Sequence, residues 1–417
     1  MDIWRIRGGR KLEGVCFVQG SKNASLPILA ASILTPAESE LQNVPQLKDI
    51  DAALRILRHL GCVAEQRENE VYINARGVTC CAIPHKLMLE MRSSVIFMGA
   101  LLARCGEARL SPPGGCQLGK RPIDLHLAAL RQLGATIEEC GGEIICRAGK
   151  LCGAEIYLPF PSVGATENIM LAATAAEGET VIHGAAREPE ISALGEYLCR
   201  MGSAVSGAGT DTIVIDQRKF VSHIDHRILA DRIVAATVAC AAAACGGSVE
   251  LRGVEPQHFS TVLHFLKQAG CDIMCQNRSV WLRSGGRLHA VGEICTEPYP
   301  GFPTNAQPVL MAALLKARGR TVIRETIFEN RFRQVPELIR LGADITLHEQ
   351  LAEIWGVDSL KGTVLNATDL RGGAAMIVAG LTAEGQTLVC DEGHIRRGYE
   401  RLDARLRALG ADICLDQ

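Results

Sequence analysis

Leu130-Arg131-Gln132-Leu133-Gly134-Ala135 is one of six copies of a single phrase. The others are Leu57-Arg58-His59-Leu60-Gly61-Cys62, Leu198-Cys199-Arg200-Met201-Gly202-Ser203, Leu266-Lys267-Gln268-Ala269-Gly270-Cys271, Ile339-Arg340-Leu341-Gly342-Ala343 and Leu406-Arg407-Ala408-Leu409-Gly410-Ala411. Successive glycines are 73, 68, 68, 72 and 68 residues apart, the even spacing of an internal repeat. Each phrase reads as a helix end. Apolar residues three apart mark the buried face, a cation often sits in the last turn, and glycine supplies the left-handed cap. A short alternating strand follows each time, as in Ala135-Thr136-Ile137-Glu138-Glu139.

An Ala-rich helix precedes each phrase, predicted over residues 23–33, 93–103, 166–176, 231–243, 305–315 and 372–381. Side chains this small imply helices packed on all sides. Several are followed by glycine and a further strand, as in Gly178-Glu179-Thr180-Val181-Ile182. One unit is therefore about 70 residues of mixed α and β, and six units divide into two groups of three, each of ordinary domain size.

Composition narrows the function. The 417 residues carry a net charge of -2, 47% apolar and 4% aromatic residues. That balance argues against a bulk nucleic-acid binder and against base-stacking platforms. The opening Met1-Asp2-Ile3-Trp4-Arg5 does not read as a signal peptide, and no apolar stretch is long enough for a spanning helix. The 17 cysteines are odd in number and contain no Cys-x-x-Cys. Reduced thiols in a cytoplasmic protein, with no zinc site, are the expectation.

One loop carries the chemistry: Pro112-Pro113-Gly114-Gly115-Cys116-Gln117-Leu118-Gly119-Lys120-Arg121-Pro122-Ile123-Asp124. Paired prolines and glycines exclude a helix or strand interior. The Cys116 thiol is followed by two cations that stabilise a thiolate and suit a phosphate or carboxylate. A reactive thiol beside anion-binding cations is what a lid over an anionic substrate needs. The starts of the Ala-rich helices point the same way. Helix N-termini favour anions, yet Lys22, Arg92 and Arg371 place cations there. A bound anion is the expected reason. Ser94 and Thr166 are expected to act as plain caps.

These residues fall into motifs: Gly20-Ser21-Lys22-Asn23-Ala24, Arg121-Pro122-Ile123-Asp124-Leu125-His126, Pro161-Ser162-Val163-Gly164-Ala165-Thr166, Ala186-Arg187-Glu188-Pro189-Glu190, Phe302-Pro303-Thr304, Phe328-Glu329-Asn330-Arg331-Phe332, Ala367-Thr368-Asp369-Leu370-Arg371 and Arg397-Gly398-Tyr399-Glu400. With the Pro-Gly-Gly-Cys loop, they resemble the UDP-N-acetylglucosamine 1-carboxyvinyltransferases, a family of enolpyruvyl transferases, over essentially the whole length. The resemblance implies an α/β fold of two inside-out barrels, each of three repeats with helices inside and sheets outside. One domain would span residues 21–229, the other residues 1–20 with 230–417, with the active site in the cleft and the Cys116 loop as its lid.

It also implies the reaction. The sugar 3′-hydroxyl of UDP-N-acetylglucosamine attacks phosphoenolpyruvate and phosphate leaves, with no metal or cofactor, in a cytoplasmic monomer that serves peptidoglycan synthesis. By matching motif, Cys116 is the acid, and Lys22, Arg121 and Arg397 hold the phosphate. Arg331 and Arg371 lie near the carboxylate, and Asp369, in the same motif as Arg371, is also a substrate-binding residue. Asn23, Arg92, Arg121, Pro122, Ile123, Asp124, Leu125, Ser162, Val163, Gly164, position 305 and Ile327 contact the nucleotide sugar. One residue departs from the pattern. The family has an aspartate after Phe-Pro-Thr, which takes the 3′-hydroxyl proton, and this chain has Asn305. An amide lacks that basicity. The expectation is an active enzyme with a compensating base such as Lys22 or the substrate phosphate. The alternative is an impaired paralogue that binds the sugar as a regulatory protein.

Overall fold

The six repeat glycines all adopt left-handed backbone, with φ of 104°, 95°, 110°, 101°, 97° and 98° for Gly61, Gly134, Gly202, Gly270, Gly342 and Gly410. A side chain there would be strained, which is why glycine recurs. The coordinates are those of a computed structural model that describes residues 1–112, 123–216 and 221–416. Each glycine ends a helix: Lys48–His59, Asp124–Gln132, Pro189–Met201, Ser260–Gln268, Val335–Arg340 and Leu402–Ala408. Each is followed by a short strand, from Val63–Arg67 in the first repeat to Asp412–Asp416 in the last.

The architecture is mixed α/β with six four-stranded sheets among the described residues. Their strand order is shared. In one sheet His223–Arg227 pairs parallel with Glu38–Gln42, which pairs antiparallel with Glu70–Asn74, itself hairpinned to Val63–Arg67. The last sheet differs: Asp2–Arg7 fills the third place, between Gln386–Asp391 and Asp412–Asp416. Leu12–Phe17 runs parallel to Gly247–Arg252. The N-terminal strands are thus hydrogen-bonded into sheets of the C-terminal half. The chain divides into two compact units, one of Met1–Gln19 with Ala230–Gln417, the other running from Gly20 to Leu229.

Buried small-residue helices form the middle of each unit. In the first, Arg232–Cys245, Gln307–Leu314 and Leu370–Thr382 each pack on the other two. Ala235, Ala236, Ala239, Ala312, Ala313, Ala374 and Ala375 are buried there, so close helix approach replaces long side chains as the source of packing. In the second unit Phe97–Cys105 packs on Lys22–Ala31 and on Val163–Ala173. Gly99 makes the latter contact: a Cβ at that position would lie 2.3 Å from the Asn168 carbonyl oxygen. The expected helix over 93–103 begins instead as a 3-10 turn, Arg92–Ile96, before the α-helix Phe97–Cys105.

Candidate active site

Four of the central helices are capped by side chains at their N-termini. Ser21 Oγ accepts from the Ala24 N–H at 3.2 Å, Ser162 Oγ from Ala165 at 3.3 Å, Asp231 Oδ1 from Ile233 and Val234, and Asp369 Oδ1 from Arg371 and Gly372. The expected caps are elsewhere. Ser94 Oγ donates to the Met88 carbonyl at 3.1 Å, and Thr166 Oγ1 accepts from the Ala186 N–H at 3.0 Å. Neither is at the N-cap position, which Met91 and Ser162 occupy, so their hydroxyls pair with the helix His85–Glu90 and with the loop at 186 instead.

In the second unit, Lys22 opens the helix Lys22–Ala31 and is buried, with its Nζ 3.1 Å from Asp49 Oδ2. Asp49 lies in the first turn of Lys48–His59 and is 2% exposed. A carboxylate of the protein therefore supplies an anion that the sequence reading assigned to a ligand alone. Asn23 follows, half-buried, and Arg92 opens its 3-10 turn, also half-buried. Ile123 precedes the helix Asp124–Gln132, with Asp124 exposed and Leu125 half-buried. Ser162, Val163 and Gly164 form the start of Val163–Ala173 and are half-buried. Gly164 closes on His126, where a Cβ would lie 2.9 Å from Cε1. His126 Nδ1 accepts from Asn168 Nδ2 at 2.8 Å, and Asn168 Oδ1 accepts from the Gly99 N–H at 2.7 Å. One polar network thus ties three helices together at the Ser162–Gly164 end. Burial, then the charges of Glu190 and Glu188, push Glu167 well above the usual carboxylate range. Cys116, Lys120, Arg121 and Pro122 lie outside the described residues.

The first unit centres on Arg331, which is 1% exposed. Its Nε and Nη2 donate to the Thr304 carbonyl at 3.1 and 2.9 Å, and Nη2 reaches Asn305 Oδ1 at 3.5 Å. Nη1 lies 3.7 Å from Asp369 Oδ1. Asn305 sits in a turn before Gln307–Leu314, not inside the helix predicted from 305. Arg371 is buried over the Tyr399 ring at 5.3 Å, and Tyr399 shares a hydrogen bond with Thr237 at 2.9 Å. Burial opposes the Arg371 charge, but Tyr399, Asp231 and Asp369 outweigh it and raise its pKa. Its Nη1 is buried without a hydrogen-bond partner among the described residues, a cationic donor left for a ligand or water. Arg397 ends the 3-10 turn Ile395–Arg397 and is half-buried. Asp391 accepts from the His394 and Ile395 N–H groups, while Gln19 donates to the Gly398 carbonyl at 3.2 Å and accepts from Glu400 at 2.8 Å. Ile327, half-buried, donates its N–H to Glu325 Oε1 at 3.0 Å.

Asp49, His126, Asn168, Gln19 and Glu325 were not singled out by the sequence reading as site residues. Asn168 was legible as a polar residue inside an apolar Ala-rich helix, but the partners of the others are far away in sequence. Among the described residues, Glu40, His223 and Asp225 form a metal-competent group, with ligand atoms within 4.8 Å of one another. All three are exposed on a sheet, in the same unit as Lys22 but with none of the candidate residues among them.

Within each unit, cations at helix starts, set among buried polar partners, can hold and orient a charged small molecule. The EPSP synthase (3-phosphoshikimate 1-carboxyvinyltransferase) family profile matches residues 6–406. UDP-N-acetylglucosamine 1-carboxyvinyltransferase 2 of Caldanaerobacter subterraneus subsp. tengcongensis is 47% identical over 413 residues, 99% of each chain. The chain belongs to the UDP-N-acetylglucosamine 1-carboxyvinyltransferases. The carboxyvinyltransferase of Geotalea daltonii, also covered to 99%, is 44% identical. Among solved structures, the enolpyruvyl transferase NikO from Streptomyces tendae has a TM-score of 0.88 at 24% identity, over 99% of this chain and 98% of that one. That likeness concerns the fold.

Proposed function

We propose that this carboxyvinyltransferase moves the enolpyruvyl group of phosphoenolpyruvate onto the 3′-hydroxyl of UDP-N-acetylglucosamine and releases phosphate, the first committed step of peptidoglycan synthesis. The observation that carries the reading is the 47% identity to a named relative along 99% of both chains. The sugar oxygen bonds to C2 of phosphoenolpyruvate while C3 gains a proton. The tetrahedral ketal then breaks its C2–O bond to phosphate while C3 gives up a proton, which restores the vinyl double bond.

Cys116 protonates C3. Lys22, Arg121 and Arg397 hold the phosphate, and Arg371 and Arg331 face the carboxylate. Asn23, Arg92, Arg121, Pro122, Ile123, Asp124, Leu125, Ser162, Val163, Gly164, Asn305 and Ile327 hold the nucleotide sugar. The buried Arg371 Nη1, without a hydrogen-bond partner among the described residues, supports its role. The Lys22–Asp49 pair supports a cation kept charged in a buried place. Preorganised charge of this kind stabilises the phosphate that leaves. The two inside-out barrels of three repeats, residues 21–229 and residues 1–20 with 230–417, are the frame we propose. The buried central helices and the six sheets of shared order support it.

No metal or organic cofactor enters this scheme, and the enzyme is read as a cytoplasmic monomer. No helix among the described residues is long and apolar enough to cross a membrane. The relatives' names favour turnover over the reading of Asn305 as the mark of a sugar-binding regulator. The test is phosphate release from phosphoenolpyruvate with and without UDP-N-acetylglucosamine. Release that depends on the sugar is expected. Saturable sugar binding without any phosphate release would overturn the reading in favour of the binding protein.

A further inference from the structure

Glu325 directly follows the strand Arg320–Arg324 and is 1% exposed. Its two oxygens serve different parts of the chain. Oε2 accepts from Thr304 Oγ1 at 3.0 Å. Oε1 accepts from the N–H groups of Ile327 at 3.0 Å and Phe328 at 3.1 Å. The Thr304 carbonyl, in turn, takes both Arg331 bonds, and Asn305 Oδ1 takes the third at 3.5 Å. A single carboxylate therefore joins the turn at 304–306 to the turn at 326–328, which are otherwise separated by a helix and a strand. Thr326 is anchored independently, its N–H donating to Thr296 Oγ1 at 2.9 Å.

We infer that Glu325 is a positioning residue for the nucleotide sugar, holding Asn305 and Ile327 at a set separation so that both meet one ligand. This rests on the proposed function, which gives those two residues the sugar. The chemistry suits the task. A carboxylate accepts three bonds without offering a donor of its own, and bonds to a charged acceptor are shorter and stronger than neutral ones. Its near-complete burial keeps those bonds from exchanging with water. Glu325 touches no reacting atom in this assignment. It acts through the two turns.

The test uses Glu325→Gln and Glu325→Asp in the full chain. In Glu325→Gln the amide oxygen keeps the Ile327 and Phe328 bonds while the NH2 group meets Thr304, so the fold should persist. Replacing the charged acceptor by a neutral amide keeps these bonds but weakens them, by an amount that reads as roughly tenfold in an equilibrium. The expected result for Glu325→Gln is a UDP-N-acetylglucosamine KM raised about tenfold, with the phosphoenolpyruvate KM within about twofold. Glu325→Asp, which keeps the charge on a shorter stem, should recover part of the loss. Hydrogen exchange supplies the second arm: amides of 304–306 and 326–328 should speed up together in Glu325→Gln, with the rest of the unit unchanged. If the two substrates' KM values rise equally, or only one turn responds, the positioning role is wrong. If the parent protein does not bind the sugar at all, the proposed function fails, and the exchange result alone decides whether the carboxylate couples the turns.

Discussion

Replacing Asn305 by aspartate should accelerate turnover, by an amount that Arg331 limits. Asn305 Oδ1 lies 3.5 Å from Arg331 Nη2, and Arg331 is 1% exposed. A carboxylate in the same place would meet that charge with a gross attraction of about 5 kcal/mol at an effective dielectric near 20. Desolvation of the new charge offsets part of it, as does the claim Asp369 already has on Arg331 at 3.7 Å. The surplus favours the ionised form, so the new carboxyl sits below the usual carboxylate range and is a weakened base. General-base assistance contributes about 10²- to 10⁴-fold. The gain in kcat for Asn305→Asp should therefore fall near the lower end, about 10²-fold, with sugar affinity within a few-fold because the two side chains are nearly isosteric. Stability gives a second readout. A folded-state pKa below the unfolded value adds stability that is present above the unfolded pKa and lost as pH falls through the folded one. The assays are phosphate release, calorimetric titration with UDP-N-acetylglucosamine, and melting against pH. A parent protein as fast as the variant would refute the argument and move the base elsewhere, to the substrate phosphate first, because Lys22 is paired as a cation with Asp49. A gain near 10⁴-fold would refute the attenuation by Arg331.

Three further outcomes are expected. An epoxide phosphonate such as fosfomycin, which mimics phosphoenolpyruvate, should label Cys116 ahead of the other thiols, and faster with the nucleotide sugar present. Burial pushes the thiols of Cys62 and Cys245 to about 12 and those of Cys146 and Cys271 to about 11, so peptide mapping that finds the label on these instead would contradict it. Asp49→Ala takes a buried carboxylate away from the Lys22 cation, and breaking such a pair costs about 3–5 kcal/mol. The melting temperature should drop by about 10 °C, and a drop under about 2 °C would show that Lys22 finds another buried partner. His226 is buried against Tyr197, with neither ring nitrogen hydrogen-bonded among the described residues, and desolvation, then Arg200, lowers its pKa to about 4. Its folded pKa lies below the unfolded value of about 6.5, so stability is full above pH 6.5 and declines between there and about pH 4, by roughly 3 kcal/mol in all. His226→Leu should flatten that acid limb in urea unfolding, and an imidazole seen by NMR to titrate near 6.5 would sink the account.

Much of the fold was legible because its signals are local. Six glycines at near-equal spacing have a φ requirement that any reader of the sequence can infer, and Gly61 through Gly410 all meet it. Ala-rich stretches and alternating strands follow from periods of 3.6 and 2 along the chain. The motifs around Lys22, Arg331, Arg371 and Arg397 were legible as well, since their identity depends only on residue order. Partnership was not. Lys22 looked like a cation awaiting a ligand until Asp49, 27 residues on, was found beside it. Arg331 reads as a substrate contact, and residue order gives no sign that its guanidinium also meets Thr304, Asn305 and Asp369. Ser94 and Thr166 looked like caps, and their hydroxyls bond elsewhere. Turn geometry and periodicity are set within a few residues, where the chain has little choice. Which buried charge meets which depends on how distant elements pack, and desolvation then makes those meetings obligatory. That is why Glu325, an unremarked acid at a strand end, emerges as the joint between two turns only in three dimensions.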